Sequence, residues 1–163
     1  MGNTTENTEG TEEHENNSIH LMEQTAEEHR GYRNFFIGWG KMVYEKELSD
    51  KIIGCAINVH KALGSSYMEK LYEKALLIEL SEAGIKAMNQ VPIQVKYKEQ
   101  VIGDYKLDVV VEGKVILELK ACSRVIPVHE AQLLQYLAAT GLRVGYVINF
   151  GSQYKLEFSR KVL

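Results

Sequence analysis

Two neighbouring segments that alternate apolar and charged residues constrain the fold of this chain most strongly. In residues 101–111 and in residues 114–121 the repeat is two residues, which is the period of a β-strand whose two faces meet different surroundings. Each predicted strand therefore has one apolar face and one face that carries charge. The charged positions are Asp104, Lys106 and Asp108 in the first strand, and Glu118 and Lys120 in the second.

The register of this predicted hairpin decides whether its charged residues meet. A two-residue turn would place Asp108 opposite Leu117 and would mix charged and apolar side chains on one face. A three-residue loop at 111–113 instead pairs Asp108 with Ile116 and keeps both alternating patterns intact. We therefore predict the second register, which brings three charged residues to a single face: Asp108, Glu118 and Lys120.

The other segments predict a mixed sheet with helices packed on it. Apolar residues repeat at helical spacing before residue 85 and again after Pro127, whereas the strand-like segments lie between and after them. The order α-α-β-β-β-α-β-β predicts an α/β fold of the α+β mixed-sheet kind. Pro92 indicates either that the first strand is an edge strand or that the proline lies in the first turn of that strand. The predicted bounds are Ser49 to Gly64 and Ser66 to Gly84 for two helices, 91–97 for the first strand, Pro127 to Gly141 for the third helix, and 143–150 and about 154–161 for the last strands.

Composition excludes several classes of protein. A chain of 163 residues that is 45% hydrophobic predicts one domain with a substantial core. No run approaches the roughly 18 to 20 apolar residues of a membrane span, and the N-terminus lacks the layout of a secretory signal. We therefore predict a cytoplasmic protein with no membrane partner. The two cysteines have no CxxC spacing and no neighbouring histidine pair, which argues against a zinc site.

Residues 1–41 differ in composition from the rest, and we predict a disordered acidic extension there and the domain over 42–163. Eight glutamates against three basic residues give the extension a net charge of −5, which leaves +2 for the remainder. That charge is too small to diagnose nucleic-acid binding by itself. One hypothesis places the native start at Met42, because residues 38–41 require G- and purine-rich codons, as a ribosome-binding sequence does.

The predicted cluster of Asp108, Glu118 and Lys120 indicates a metal site. Two neighbouring carboxylates repel each other unless they are protonated or bridged by a cation, and their hard oxygens suit Mg²⁺ or Mn²⁺. The alternative is a solvated polar face on which Lys120 pairs with a carboxylate.

The arrangement resembles the PD-(D/E)XK nuclease superfamily. Asp108 matches its first acidic position, Glu118-Leu119-Lys120 matches its acidic-x-Lys triplet, and Gln132 with Tyr136 matches a QxxxY helix motif. More narrowly, residues 45–163 resemble the small GxxExxY proteins, although Ser66 stands where that family has its first glycine. The stretches that carry this narrower likeness are residues 59–64, 67–72, 129–134 and 148–151.

The resemblance implies a restriction-endonuclease-like core, with helices on a mixed sheet of four to five strands. It also implies hydrolysis of phosphodiester bonds, with nucleic acid as partner and DNA in preference to RNA. The implied cofactor is Mg²⁺ or Mn²⁺, held by Asp108, Glu118, the backbone carbonyl of Leu119, and Glu69. Lys120 would orient water and stabilise charge, and Gln132 and Tyr136 would position the ligands or the nucleic-acid backbone.

Several alternatives stay open at the level of sequence. The chain could be a catalytically inactive module of the same fold that binds nucleic acid or protein, or a homo-oligomer or subunit of a larger assembly. Ser66-x-x-Glu69 also matches a capping box, which would give Glu69 a structural role. Gln132 and Tyr136 would suit an ordinary amphipathic helix, and Tyr72 is more typical of packing than of chemistry.

Overall fold

The computed structural model describes residues 44–163. The predicted disordered extension and the hypothesis of a start at Met42 lie outside the described residues. Within 44–163 none of the helices combines the length and apolar character needed to cross a lipid bilayer.

Three helices and five strands follow one another in the predicted order. The mixed α/β fold with a five-stranded mixed sheet confirms the predicted fold class, and it is consistent with a restriction-endonuclease-like core. The elements are α1 (Lys46–Leu63), α2 (Glu69–Glu82), β1 (Ala87–Tyr97), β2 (Gln100–Val111), β3 (Val115–Lys120), α3 (Pro127–Thr140), β4 (Val144–Asn149) and β5 (Glu157–Val162).

The strands lie in the order β1-β2-β3-β4-β5. Only the pair of β3 and β4 is parallel, because α3 carries the chain back across the sheet between them, and the other three pairs are antiparallel. β1 is an edge strand, which is where the sequence places Pro92.

Helices cover both faces of the sheet and create two cores. The α1–α2 core includes Ile52, Tyr72, Leu76, Val109, Leu117, Leu119 and Phe150. The α3 core includes Leu107, Val110, Ile116, Leu133, Tyr136 and Val147. The face of β3 that carries charge is therefore covered by α3 and is not a solvated surface. This double cover explains why β4 is buried along its whole length.

The predicted helix ends are more accurate than the helix starts. Gly64, Gly84 and Gly141 all have positive φ just beyond a helix, as their sequence positions indicate. The predicted start of α1 is wrong, because the helix begins three residues earlier, at Lys46, and Ser49 is buried inside it. β1 likewise begins at Ala87, four residues before the predicted start, and β5 begins three residues late, at Glu157.

The predicted capping box at Ser66 is also wrong. The residue that precedes α2 is Met68, which has an extended backbone and no side-chain cap. A different side chain fastens this loop: the Tyr72 hydroxyl donates to the carbonyl of Gly64 at 2.7 Å and accepts from the amide of Tyr67 at 3.2 Å. The Tyr72 ring stacks on Phe150 with centroids 4.7 Å apart, so this tyrosine packs as predicted.

Between Val109 and Leu117 the hairpin of β2 and β3 has the predicted faces but a different register. Val111 pairs with Val115, so the loop is 112–114 and not 111–113. Glu112 takes a left-handed φ of 51°, like the Gly113 beside it, and hydrogen bonds to the Lys86 backbone hold it there. The shift is two residues, and a shift of two keeps every side chain on its face. Asp108 consequently lies across from Glu118 and not from Ile116.

Candidate active site

The site begins where β2 and β3 separate. The last ladder pair is Val109 with Leu117, and at the next position Asp108 and Glu118 lie across from each other. The Asp108 Oδ2 atom accepts a hydrogen bond of 2.8 Å from the amide of Leu119. A carboxylate oxygen thus occupies the place of a ladder acceptor, and it fixes the Asp108 side chain at the gap between the strands.

The side chains of β2 stop alternating regularly between the two faces of the sheet at Asp108, which places this residue at the gap. Leu107 belongs to the α3 core and Val109 to the α1–α2 core, although residues two apart on a regular strand share a face. On β1, Gln90 lies across from Asp108 and has a φ of 53°. Both strands are therefore bent at Asp108.

The carbonyl of Leu119 points toward the same gap. In an extended strand the N–H and C=O groups of one residue point to the same side, and the Leu119 amide points to Asp108. The next carbonyl, that of Lys120, accepts from the Phe150 amide at 2.8 Å on the β4 side, as this alternation requires.

Glu118 is the most unusual group in the site. Its residue is 2% exposed, and its Oε1 atom pairs with the Lys120 Nζ atom at 2.7 Å. Its Oε2 atom is buried without any hydrogen-bond partner. Burial, followed by the charge of Asp108, raises the pKa of Glu118 to about 7. A buried carboxylate oxygen without a donor is costly, so this atom is poised to accept a cation or a proton.

The other two charged groups respond to the same surroundings. Burial raises the pKa of Asp108, and the Leu119 amide and Lys120 oppose that shift. Burial alone would lower the pKa of Lys120, but its hydrogen bond to Glu118 and the neighbouring carboxylates outweigh burial and raise the pKa. Lys120 is therefore held as a cation.

Glu69 is the first residue of α2 and faces this cluster. Burial raises the pKa of Glu69, the charge of Lys120 opposes this, and Asp108 and Glu73 add to it. Because no capping box forms, the structural role predicted for Glu69 is absent.

Gln132 and Tyr136 border the cluster from α3. The Gln132 Nε2 atom donates to the Tyr136 hydroxyl at 2.7 Å, as their spacing of one helical turn allows. Burial raises the pKa of Tyr136; the hydrogen bond from Gln132 opposes this shift, and Glu118 and Asp108 reinforce it. The structure thus brings all six predicted side chains to one region.

Sequence reasoning missed Glu73, one helical turn beyond Glu69. Glu73 is 6% exposed, and its two oxygens accept from Asn89 Nδ2 at 2.9 Å and from Gln90 Nε2 at 2.7 Å. These bonds attach α2 to β1 at the bend across from Asp108. The only signal in the sequence is the spacing of the two glutamates, which puts both on one side of a helix.

Sequence reasoning also missed the role of Asn149. This residue is fully buried: its Oδ1 atom accepts from the amides of Cys122 and Gly151, each at 3.0 Å, and its Nδ2 atom donates to the Cys122 carbonyl at 2.9 Å and to Glu157 at 2.8 Å. Asn149 thereby fixes the segment that follows Lys120. Residues 148–151 are one of the stretches that resemble the GxxExxY proteins, but the sequence did not indicate what Asn149 does there.

The donor set suits a hard divalent cation. In the part of the chain that the structure describes, no three side chains of His, Cys, Asp or Glu are arranged to hold a metal ion. The charge of Asp108 nevertheless acts on Glu118, and one oxygen of Glu118 has no other partner. Mg²⁺ commonly takes one or two carboxylates and completes its shell with water, so the residues present fit it.

Comparisons with known proteins give one family assignment. No curated protein matches the chain. A solved structure described as the crystal structure of SSO0001 is 15% identical, with a TM-score of 0.45, and the match covers 89% of this chain and 76% of that one. At that identity and TM-score the likeness adds nothing to the assignment. A family model described as the PD-(D/E)XK nuclease superfamily matches residues 46–161, and this chain belongs to that superfamily.

Proposed function

We propose that this protein is a divalent-metal-dependent nuclease that hydrolyses phosphodiester bonds, in DNA in preference to RNA. One observation carries the proposal: the Oε2 atom of Glu118 is buried without a hydrogen-bond partner. The other oxygen of the same carboxylate, Oε1, pairs with Lys120. A structural ion pair would satisfy both oxygens, because a buried acceptor without a donor lowers stability. A site that must receive a cation has to leave one oxygen free.

Each metal ligand comes from a different constraint of the fold. Asp108 is fixed by the Leu119 amide, Glu118 by Lys120, and the Leu119 carbonyl by the direction of its strand. Glu69, at the start of α2, would supply a further ligand. Mg²⁺ or Mn²⁺, when bound, would polarise the phosphate and lower the pKa of a water.

Lys120 acts on the phosphate and on the water. Its raised pKa keeps the ammonium charged, so it donates hydrogen bonds and does not accept a proton. The charge that develops on the phosphate oxygens is stabilised by such a fixed donor. Its anchor on Glu118 places that donor at the ligand set.

Gln132 and Tyr136 form a polar wall on the α3 side. The hydroxyl of Tyr136 accepts from Gln132, so its own proton is free to point at a phosphate or a ligand oxygen. The pair holds one geometry because each member restrains the other.

We also propose that the chain is a GxxExxY protein in spite of Ser66. The two named side chains of that motif have separate tasks here: Glu69 faces the site, whereas Tyr72 faces the core and fastens the preceding loop. A serine in that loop leaves both tasks intact.

The direct test is a cleavage assay with the full chain. Single- and double-stranded DNA and RNA are incubated with the protein and Mg²⁺, Mn²⁺ or EDTA. We expect cleavage with a metal and none with EDTA. Asp108→Ala and Lys120→Ala should each reduce the rate by about 10²- to 10³-fold or more, because each removes a fixed charge at the reacting phosphate.

Matched variants separate chemistry from folding. Asp104→Ala and Lys106→Ala remove one carboxylate and one ammonium group from exposed positions of β2, where Asp104 contacts only Gln94 at 3.2 Å among the hydrogen bonds of the described residues. Both should cleave at the wild-type rate. Undiminished cleavage by Asp108→Ala and Lys120→Ala would reject the assignment. Absence of cleavage by a folded wild-type chain, over all four nucleic acids, would favour the inactive binding module.

A further inference from the structure

The β1–β2 hairpin carries exposed tyrosines beside the candidate site. Tyr105 on β2 is 50% exposed and Tyr97 on β1 is 62% exposed. The alternating pattern of the sequence assigns Tyr105 to the core, but this end of the hairpin extends past the helices. A tyrosine ring that is half open to solvent leaves apolar surface unburied.

Tyr105 is connected to the site through Tyr136. Their ring centroids are 6.0 Å apart with an interplanar angle of 59°, and Tyr136 in turn lies within electrostatic reach of Glu118 and Asp108. The Tyr105 ring also lies over Gly103 of the same strand, where an added Cβ atom would come within 3.2 Å of the ring. The ring is therefore held on two sides and open on another.

The exposed rings follow one another along the hairpin. Ile93 pairs with Tyr105, and directly opposed residues share a face. Tyr97 lies four residues beyond Ile93 on β1, past a shift of register between Val95 and Lys96, at the outer end of the hairpin. The Lys98 ammonium lies 5.4 Å from the Tyr97 ring centroid. The row thus runs from Tyr136 outward and ends at an aromatic ring with a cation beside it.

We infer that Tyr105 is a base-stacking subsite for single-stranded nucleic acid, and that the strand continues from the site along this row toward Tyr97 and Lys98. Asp108 lies three residues from Tyr105 along β2, which is about 10 Å. The inference rests on the proposed function for its substrate, and it narrows that substrate to unpaired strands.

Stacking favours a single strand over a duplex for two reasons. The faces of bases inside a duplex are covered by their neighbours, whereas an unpaired base can place its face on an aromatic ring. The domain also carries a net charge of only +2, so a groove that depends on phosphate contacts alone would be weak.

The test is binding of the full chain to fluorescein-labelled oligo(dT), oligo(U) and a DNA duplex of equal length. Fluorescence anisotropy in EDTA measures binding without any cleavage. We expect both single strands to bind more tightly than the duplex. Tyr105→Leu should weaken single-strand binding by about 5- to 150-fold, and Tyr105→Phe, which keeps the ring, should bind like the wild type.

Phe158 provides a matched control on the far edge of the sheet. It is 46% exposed and packs on Tyr146 with centroids 6.3 Å apart at 54°, which is nearly the setting of Tyr105. Phe158→Leu should leave binding unchanged. Equal losses in Phe158→Leu and Tyr105→Leu, unaltered binding by Tyr105→Leu, a loss in Tyr105→Phe, or tighter binding of the duplex would each overturn the inference.

The same experiment separates this inference from the proposed nuclease function. Loss of binding in Tyr105→Leu without any metal-dependent cleavage by the wild type would leave the subsite standing and reject the nuclease. If cleavage is lost in Asp108→Ala but Tyr105→Leu binds single strands like the wild type, the nuclease function stands and the stacking subsite is rejected.

Discussion

Two buried glutamates of this fold, Glu73 and Glu118, differ in how their carboxylate oxygens are hydrogen-bonded. Glu73, on α2, has both oxygens satisfied by side-chain amides of β1. Glu118, on β3, has one oxygen on Lys120 and the other without a donor. Both residues are less than a tenth exposed, at 6% and 2%. The difference therefore lies in hydrogen bonding and not in burial.

On the proposed function, this contrast distinguishes a structural carboxylate from one that binds a metal ion. Neutral amide donors satisfy Glu73 and attach α2 to β1, so a cation would gain nothing by displacing them. At Glu118 burial and the charge of Asp108 raise the pKa, and a divalent cation beside both carboxylates would offset these two effects. A site of this kind gives up stability in the free protein for the sake of binding.

The largest effect should appear in the pH dependence of stability without metal. The pKa of Glu118 is 4.5 in an ordinary setting and about 7 here. Below the lower value both folded and unfolded chains hold the proton. Between the two values only the folded chain holds it, so the free energy of unfolding should fall as pH rises and then level off above pH 7. The loss is on the order of 3 kcal/mol.

Glu118→Gln tests this assignment, because glutamine has no proton to lose. Urea unfolding in EDTA from pH 4 to pH 8 should show a flatter curve for this variant, and it should be more stable than the wild type at pH 8. Titrating groups remote from Glu118 affect both proteins equally, so the difference between the curves reports Glu118 and the charged groups around it. Parallel curves would show that Glu118 titrates normally.

A smaller effect of opposite sign is expected at Glu73. Glu73→Gln retains one acceptor and brings a second amide against Asn89 and Gln90, so stability should fall by about 1 to 3 kcal/mol. Glu82→Gln, at the exposed end of the same helix, should change stability by less than about 0.5 kcal/mol. Chemical denaturation at pH 7 measures all three proteins. If Glu73→Gln were more stable than the wild type, the distinction between the two carboxylates would be lost.

The fold and most strand faces were accessible from sequence because periodicity records burial. The alternation was enough to bring Asp108, Glu118 and Lys120 together. The break in the alternation of β2 was not accessible, because regular alternation puts Leu107 and Val109 on one face and the structure puts them in different cores. The register was not accessible, since a slip of two residues leaves every face unchanged. It depends on Glu112, which is held in a left-handed conformation by the distant backbone of Lys86.

Long-range partners also explain the other differences. Ser66 has the right spacing for a capping box, but the Tyr72 hydroxyl fastens its loop from the following helix. Glu73 and Asn149 are single polar residues inside apolar stretches, and only the tertiary fold shows which groups they meet. Short-range patterns therefore predicted where the carboxylates lie, but not what holds them there.

Calorimetric titration of Mn²⁺ into the full chain at pH 8 tests the central claim most directly. Wild type and Glu73→Gln should each bind Mn²⁺ at one site, whereas Glu118→Gln should show no binding in the same concentration range, because its free oxygen and its charge are both gone. Equal binding by Glu118→Gln and the wild type, or no binding by a folded wild type, would contradict the account.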